Sequence, residues 1–301
     1  MMKSAILILA ALSVAAGSLR SDPANPPQQR VAFSRNSDVW TVNLDGTGSK
    51  KVSAGENPAI SPDGSRLAFT WEPPSQNNLQ RYIAVTELAP GSTTIFKAVP
   101  SDNSFGPVWS PDGSQILFEI FVNSHWRVGL INADGSEFRF VNLPSADAGW
   151  FSLCWAADGK SIFGQDLQKI CRFTLEGELI ASWEISKTFP NTDVDSSEQF
   201  SVSPDGKRLL VDLGMENGES MKDFNGPPPA IWLFEMESGK TTRLTPKHSY
   251  ATAPCWLSDS EYLFIDADKK GTSIFRTSVT GGPHKLVVRN AAEPSVSHQN
   301  L

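Results

Sequence analysis

Apolar and polar positions along this chain fall into short blocks that repeat. An apolar stretch, a Ser-Pro-Asp-Gly type turn and a second apolar run recur five times. They read PAISPDGSRLAF at 58–69, PVWSPDGSQILF at 107–118, LCWAADGKSIFG at 153–164, FSVSPDGKRLLV at 200–211 and PCWLSDSEYLFI at 254–265. The turn aspartates are Asp63, Asp112, Asp158, Asp205 and Asp259, spaced by 49, 46, 47 and 54 residues. Short apolar runs bounded by turn residues are strand signals. Within the turn, Pro presets φ, Asp bonds the backbone beyond it and Gly accepts a positive φ, which is hairpin chemistry. A period of this length marks a repeated supersecondary unit with room for four strands.

A second pattern follows inside each unit: Val or Ile opens a short alternating strand that ends in another turn. Its first residues are Val39, Ile83, Val128, Ile170, Ile231 and Ile274, as in VWTVNLDG at 39–46 and VGLINADG at 128–135. This element occurs six times against five for the first. The missing copy begins at the far end of the chain, where EPSVSHQN at 293–300 matches the start of the repeat, and continues near the beginning as QRVAFSRNSDVW at 29–40. The expected architecture is therefore all-β, a six-bladed β-propeller closed by strands from both termini. Closure of this kind removes exposed sheet edges.

The pairing of P-x-W-S-P-D-G with a following I/V-x-x-x-x-x-D-G element resembles the repeat of TolB-like, WD40-like (PD40) β-propellers, over roughly residues 30–301. It lacks the Gly-His and Trp-Asp dipeptides of WD repeats. The resemblance implies a propeller without the N-terminal α/β domain of full TolB proteins, since residues 20–29 leave room only for a Pro-rich linker. Related propellers gate oligopeptidases, and others cleave polysaccharides. The resemblance thus speaks for the fold and says little about activity.

Composition narrows the reading. Lys3 followed by the apolar run Ala5 to Ala16 and the small residues to Ser18 reads as a signal peptide over 1–19. The expected location is periplasmic or secreted, with no transmembrane segment after cleavage. A net charge of −7 offers no basic surface for phosphates, so nucleic acid is not an expected partner. Cys154, Cys171 and Cys255 are odd in number, and the first two lie two strands apart in one blade; three buried free thiols are expected.

Enzymatic motifs are absent. There is no G-x-S-x-G elbow, no paired His/Cys zinc spacing, no P-loop and no EF-hand, and the four His (His125, His248, His284 and His298) are scattered. The expected role is a non-catalytic binding or scaffolding module for a protein, peptide or glycan. Two alternatives are a polysaccharide lyase or hydrolase sited at the channel mouth, and a gating subunit for a separate hydrolase.

Geometry singles out one face. The Pro-Asp-Gly and Asp-Gly turns share one side, whereas the insertions at 72–81, 186–199 and 214–229 share the other, and insertions on one face of a repeat protein mark its binding side. Candidate partner-binding residues there are Trp71, His125, Trp126, Trp150, Phe151, His248 and Tyr250. Trp109, Trp155 and Trp256, at equivalent inner-strand positions, are expected to pack between blades. Glu56, Asp102, Asp147, Glu198 and Glu293 precede successive inner strands and are expected to ring the channel mouth. That ring is the one place where a cation is considered; no cofactor and no metal ligand set is otherwise expected.

Overall fold

The computed structural model describes residues 29–74, 80–144, 149–215, 228–268 and 271–297. The predicted signal peptide, most of the linker, Asp147, His298 and parts of two insertions lie outside the described residues. Six antiparallel sheets are arranged as the six blades of a propeller. Blade 1 is completed by both chain ends: Ala292–Val296 is its innermost strand and pairs with Arg30–Arg35, which is followed outward by Asp38–Asn43 and Lys50–Ala54. The other innermost strands are Glu56–Ile60, Ser104–Trp109, Phe151–Trp155, Phe200–Val202 and Ala251–Trp256, of blades 2 to 6. Blade 5 adds Thr192–Asp193, which pairs with the end of Arg208–Met215.

The sequence pattern follows from this stacking. The second strand of a blade is covered on both sides, so Arg66–Trp71 is buried at Leu67, Ala68, Phe69 and Thr70. Such strands read as continuous apolar runs. The outer strand Leu179–Glu184 has no neighbour beyond it, and Leu179 and Ile180 are exposed. Between these extremes lie separate apolar clusters, one per inter-blade space, such as Phe118 with Ile83 and Trp109, or Phe163 with Phe189 and Phe234.

The repeated turns are self-contained. Asp112 accepts from the Ser110 hydroxyl at 2.6 Å and from the Ser114 backbone N–H at 3.0 Å, and Ser110 Oγ in turn accepts from Gln115 N. These bonds, Ser110 first, hold the Asp112 carboxyl below its ordinary value. Gly113 has φ +70°, which a side chain would strain.

Two sets of cross-blade hydrogen bonds tie the ring together. In the first, Trp109, Trp155 and Trp256 donate their indole N–H to Ala59 O, Val108 O and Ser201 O of the preceding blade. The equivalent positions of the other blades are Ile60, Val202 and Val296, which have no indole. At Ile60 the backbone N–H donates to Ser295 Oγ, as Trp256 N also does to Ser201 Oγ, and the Cys154 and Cys255 thiols stand beside the Val202 and Val296 backbone. The expected packing role of the three Trp is thus seen directly. All three cysteines are free, with Cys154 and Cys171 in different apolar clusters. Burial pushes the Cys154 and Cys255 thiols up to about 12.

The second set lies nearer the loop face. Five inner strands carry a bulge with one left-handed residue: Asn57, Gly106, Ser152, Ala253 and Glu293. A bulge turns a backbone N–H out of the ladder, where it needs another acceptor. That acceptor comes from the neighbouring blade. Thr70 Oγ1 receives Gly106 N at 3.2 Å, Asp212 receives Ala253 N at 2.7 Å, and Glu293 receives Asn57 N at 2.8 Å. Glu119 receives Ser152 N.

Candidate functional site

The loop face divides into distinct neighbourhoods. Over blades 2 and 3, the Arg81 guanidinium donates twice to Asn103 Oδ1, at 2.9 and 2.7 Å, and lies 4.6 Å from the Phe105 ring centre and 5.8 Å from that of Trp126. Trp126 packs against Phe105 and Phe121 with centroids 5.1 and 5.0 Å apart. Beside them, Trp71 meets Tyr82, and the Lys97 ammonium is 5.7 Å from both rings. Trp71 and Trp126 are half-buried and His125 is exposed. The ends of adjacent strands thus place three of the expected residues in neighbouring aromatic and cationic clusters.

Two other expected anchors are core residues. Trp150 and Phe151 are only 6 % and 7 % exposed. Trp150 packs edge-on against Phe173 at 4.7 Å and donates its indole N–H to Pro144 O. They close the end of the space between blades, and an aromatic that is already enclosed has little area left to offer a partner. His248 is exposed in the connection from blade 5 to blade 6, and Tyr250 is half-buried at its end. His125 belongs to blade 3, so the two histidines stand on different blades.

The expected acids divide between cavities. Glu293 is the left-handed residue of its bulge and Glu56 precedes the next one. The two line one cavity of about 750 Å³, and the Glu56 charge adds to the burial that raises Glu293, whereas Asp102 lies four residues before Gly106 and Glu198 lines another cavity. Glu293 is turned inward, accepting from Ser34 Oγ and from the Asn57 backbone and amide. Glu56 and Asp102 are exposed, bonded to Ser37 Oγ and Gln80 Nε2. Asp147 lies outside the described residues. The central channel itself holds an apolar cavity of about 470 Å³, walled by residues such as Val108, Trp109, Trp155, Val202 and Pro254 from the inner strands. Among the described residues no three His, Cys, Asp or Glu are grouped so as to hold a metal ion.

Glu198 occupies a different setting. With Asp193, Asp195, Asp212 and Tyr250 it lines a cavity of about 290 Å³ beside the extra strand of blade 5. Burial, with the Asp195 and Asp212 charges alongside, pushes Glu198 up to about 8. Burial also raises Asp212, although Gln199 N, Ala253 N and Thr252 Oγ1 all donate to it. Glu119, buried between blades 3 and 4, is pushed up to about 8 by desolvation, and its Oε2 has no hydrogen-bond partner among the described residues. Glu119 and Asp212 were not anticipated. Their signal was a polar residue closing an apolar run, as in ILFE and LLVD, repeated by Thr70, Gln165 and Ser34.

A ring-closed propeller whose irregular loops gather on one face defines the class. Solved structures of that class match. One is TolB from Acinetobacter baumannii, at 16 % identity over 89 % of this chain and 66 % of that chain, with a TM-score of 0.58. A putative TolB from Agrobacterium tumefaciens matches at 16 % identity, over 86 % of this chain and 88 % of that one, with a TM-score of 0.59. A chain of a nidogen–laminin complex matches at 11 % identity, over 90 % of this chain and all of that one, with a TM-score of 0.64. The chain spans just under two thirds of the Acinetobacter protein. No family model and no curated protein matches. The fold is thus that of the TolB-like propellers, at identities that carry the fold alone. No helix among the described residues is long and apolar enough to cross a membrane.

Proposed function

We propose that the chain is an exported, non-catalytic binding or scaffolding module that recognises a protein, peptide or glycan through its loop face, in the periplasm or outside the cell. The observation that carries this reading is the contrast in how polar and aromatic groups are used. On the turn face Asp63, Asp112, Asp158 and Asp205 accept from their own turns, and Asp259 accepts from Asp205 N of the preceding blade. The loop face presents Trp71, Tyr82, Phe105 and Trp126 as half-buried rings beside Arg81 and Lys97. Aromatic and Arg side chains of this kind are the usual anchors of interfaces. That a related fold occurs in a nidogen–laminin complex agrees with a binding role for such a scaffold.

The test is a crosslinking pull-down from the native envelope and culture medium, comparing wild type with the Trp71→Ala, Arg81→Ala double variant. Loss of a captured partner by the variant at unchanged melting temperature supports the reading, and equal capture contradicts the assignment of this face. N-terminal sequencing of the exported protein checks the leader: a mature chain starting near residue 20 is expected, and an intact Met1 in the exported fraction contradicts it.

A further inference from the structure

A cavity of about 360 Å³ opens on the loop face of blade 3, between the start of the strand His125–Asn132 and the connection to blade 4. Its size is at the lower end of small-ligand pockets, ~300–1,000 Å³. Half-buried Trp126 is the aromatic ring it offers, the nearly enclosed Trp150 borders it, and Asn123, His125, Arg127 and Asn142 supply the polar groups. We propose that this cavity is a carbohydrate subsite that holds one pyranose ring of a glycan; the proposal rests on the binding role assigned to the loop face.

The chemistry of the walls carries this. A pyranose has an apolar C–H face that stacks on an indole and a rim of hydroxyls that each donate and accept. Planar side chains with two adjacent polar atoms match neighbouring hydroxyls. The Asn123 and Asn142 amides make no side-chain hydrogen bond among the described residues, and both residues are exposed. His125 Nδ1 lies 2.8 Å from Asn123 O. A carbonyl only accepts, so Nδ1 carries the proton, and Nε2 of the neutral imidazole is left as an acceptor. Arg127 is held flat against Phe140, its guanidinium carbon 3.7 Å from the ring centre.

The walls are also fixed in place. Trp126 is braced by Phe105 and Phe121, and Trp150 by its bond to Pro144 O. Gly149 has φ +107°, and a Cβ there would lie 2.9 Å from Trp126 Cβ, so glycine lets the connection close against the indole. Preorganised rings reduce the cost of ordering on binding. The Arg127 charge among the lining residues favours a sugar that carries an acid group.

The experiment is a titration followed by tryptophan fluorescence and saturation-transfer NMR. It uses maltotriose, chitotriose and trimannuronate as probes of neutral, N-acetylated and acidic pyranosides. At least one probe is expected to bind, with trimannuronate the tightest and the most salt-sensitive. His125→Ala and Asn142→Ala, both at exposed positions, are expected to weaken it tenfold or more, as is Trp126→Phe, which keeps an aromatic ring among Phe105 and Phe121. Trp71→Ala, on the neighbouring cluster, is expected to leave it unchanged. No saturable binding of any probe, or equal binding by wild type and the His125 and Asn142 variants, overturns the proposal. Those failures leave the loop-face reading intact if a partner is still captured through Trp71 and Arg81. Loss of that capture with sugar binding retained overturns the wider reading alone.

Discussion

The turn face and the loop face of this propeller are built from the same strands, yet they use their polar residues in different ways. On the turn face, Ser110, Asp112 and Ser114 bond one another within five residues, and the arrangement returns almost unchanged at Ser61, Asp63 and Ser65. The turn face adds a few bonds between blades, Arg66 to Gly113 O and Asp205 N to Asp259. Nearer the loop face, partly or fully buried acids and a hydroxyl reach across blade boundaries at the bulges: Glu293 to Asn57, Thr70 to Gly106, Asp212 to Ala253. Local bonds can be repeated by copying a sequence motif. Bonds across a boundary depend on two blades at once, so each junction is solved separately. The face built from separate solutions is also the one with irregular cavities and aromatic clusters.

The comparison can be broken most sharply at the junctions. Trp256 is fully buried and donates to the preceding blade. Trp256→Ala is expected to cost ~3–5 kcal/mol in chemical denaturation, the range for large buried aromatics. A cost near that of a surface substitution would show that the ring does not depend on its indole latches.

Next in size is a pH effect at Glu119. Its folded-state value of about 8 lies above the ordinary 4.5, so ionisation opposes folding. The stability associated with the protonated group is complete below pH 4.5 and is lost as pH rises to about 8. Glu198 acts in the same direction, less strongly because it is partly exposed. The wild type is expected to lose stability between pH 5 and 8.5, and Glu119→Gln, which keeps an acceptor for Ser152 N, to lose less by a few kcal/mol. Parallel melting curves for the two across that range would remove Glu119 as an ionisable element of the junction.

A smaller effect is expected at Cys154. Cys154→Ala removes a buried thiol beside the Val202 backbone, at a cost of ~1–3 kcal/mol, and Cys154→Ser, which offers that backbone an oxygen acceptor, is expected to cost less. Equal costs for the two would mean that the sulfur acts by packing only. The smallest effect belongs to the loop face itself: His125→Ala, at an exposed position, is expected to change stability by no more than ~0.5 kcal/mol.

How far the sequence reveals all this follows the same division. The six blades and the closure by Ala292–Val296 were legible because two motifs could be counted separately, and the role of Trp109, Trp155 and Trp256 was legible from their equivalent positions. The acceptor role of Ser201 and Ser295, at the inner-strand position that Cys154 and Cys255 fill in other blades, was not, since small residues there read as packing alone. The bulges were hidden because Asn57, Gly106, Ser152, Ala253 and Glu293 share a backbone angle and no side-chain chemistry. Without the bulge, distance along the chain put all the acids in one ring, whereas Glu56 and Glu293 share one cavity and Glu198 lines another. Trp150 and Phe151 were placed on the surface because they adjoin a connection, and only the packing of Trp150 on Phe173 shows them to be enclosed.

The most direct measurement of the division between the two faces is crosslinking mass spectrometry of the protein captured with its partner from native material. Crosslinks are predicted at loop-face positions such as Lys97 and Lys169, with the turn-face lysines Lys160 and Lys207 left unlinked. Crosslinks concentrated on Lys160 and Lys207 would place the partner on the repeated turns and contradict the account.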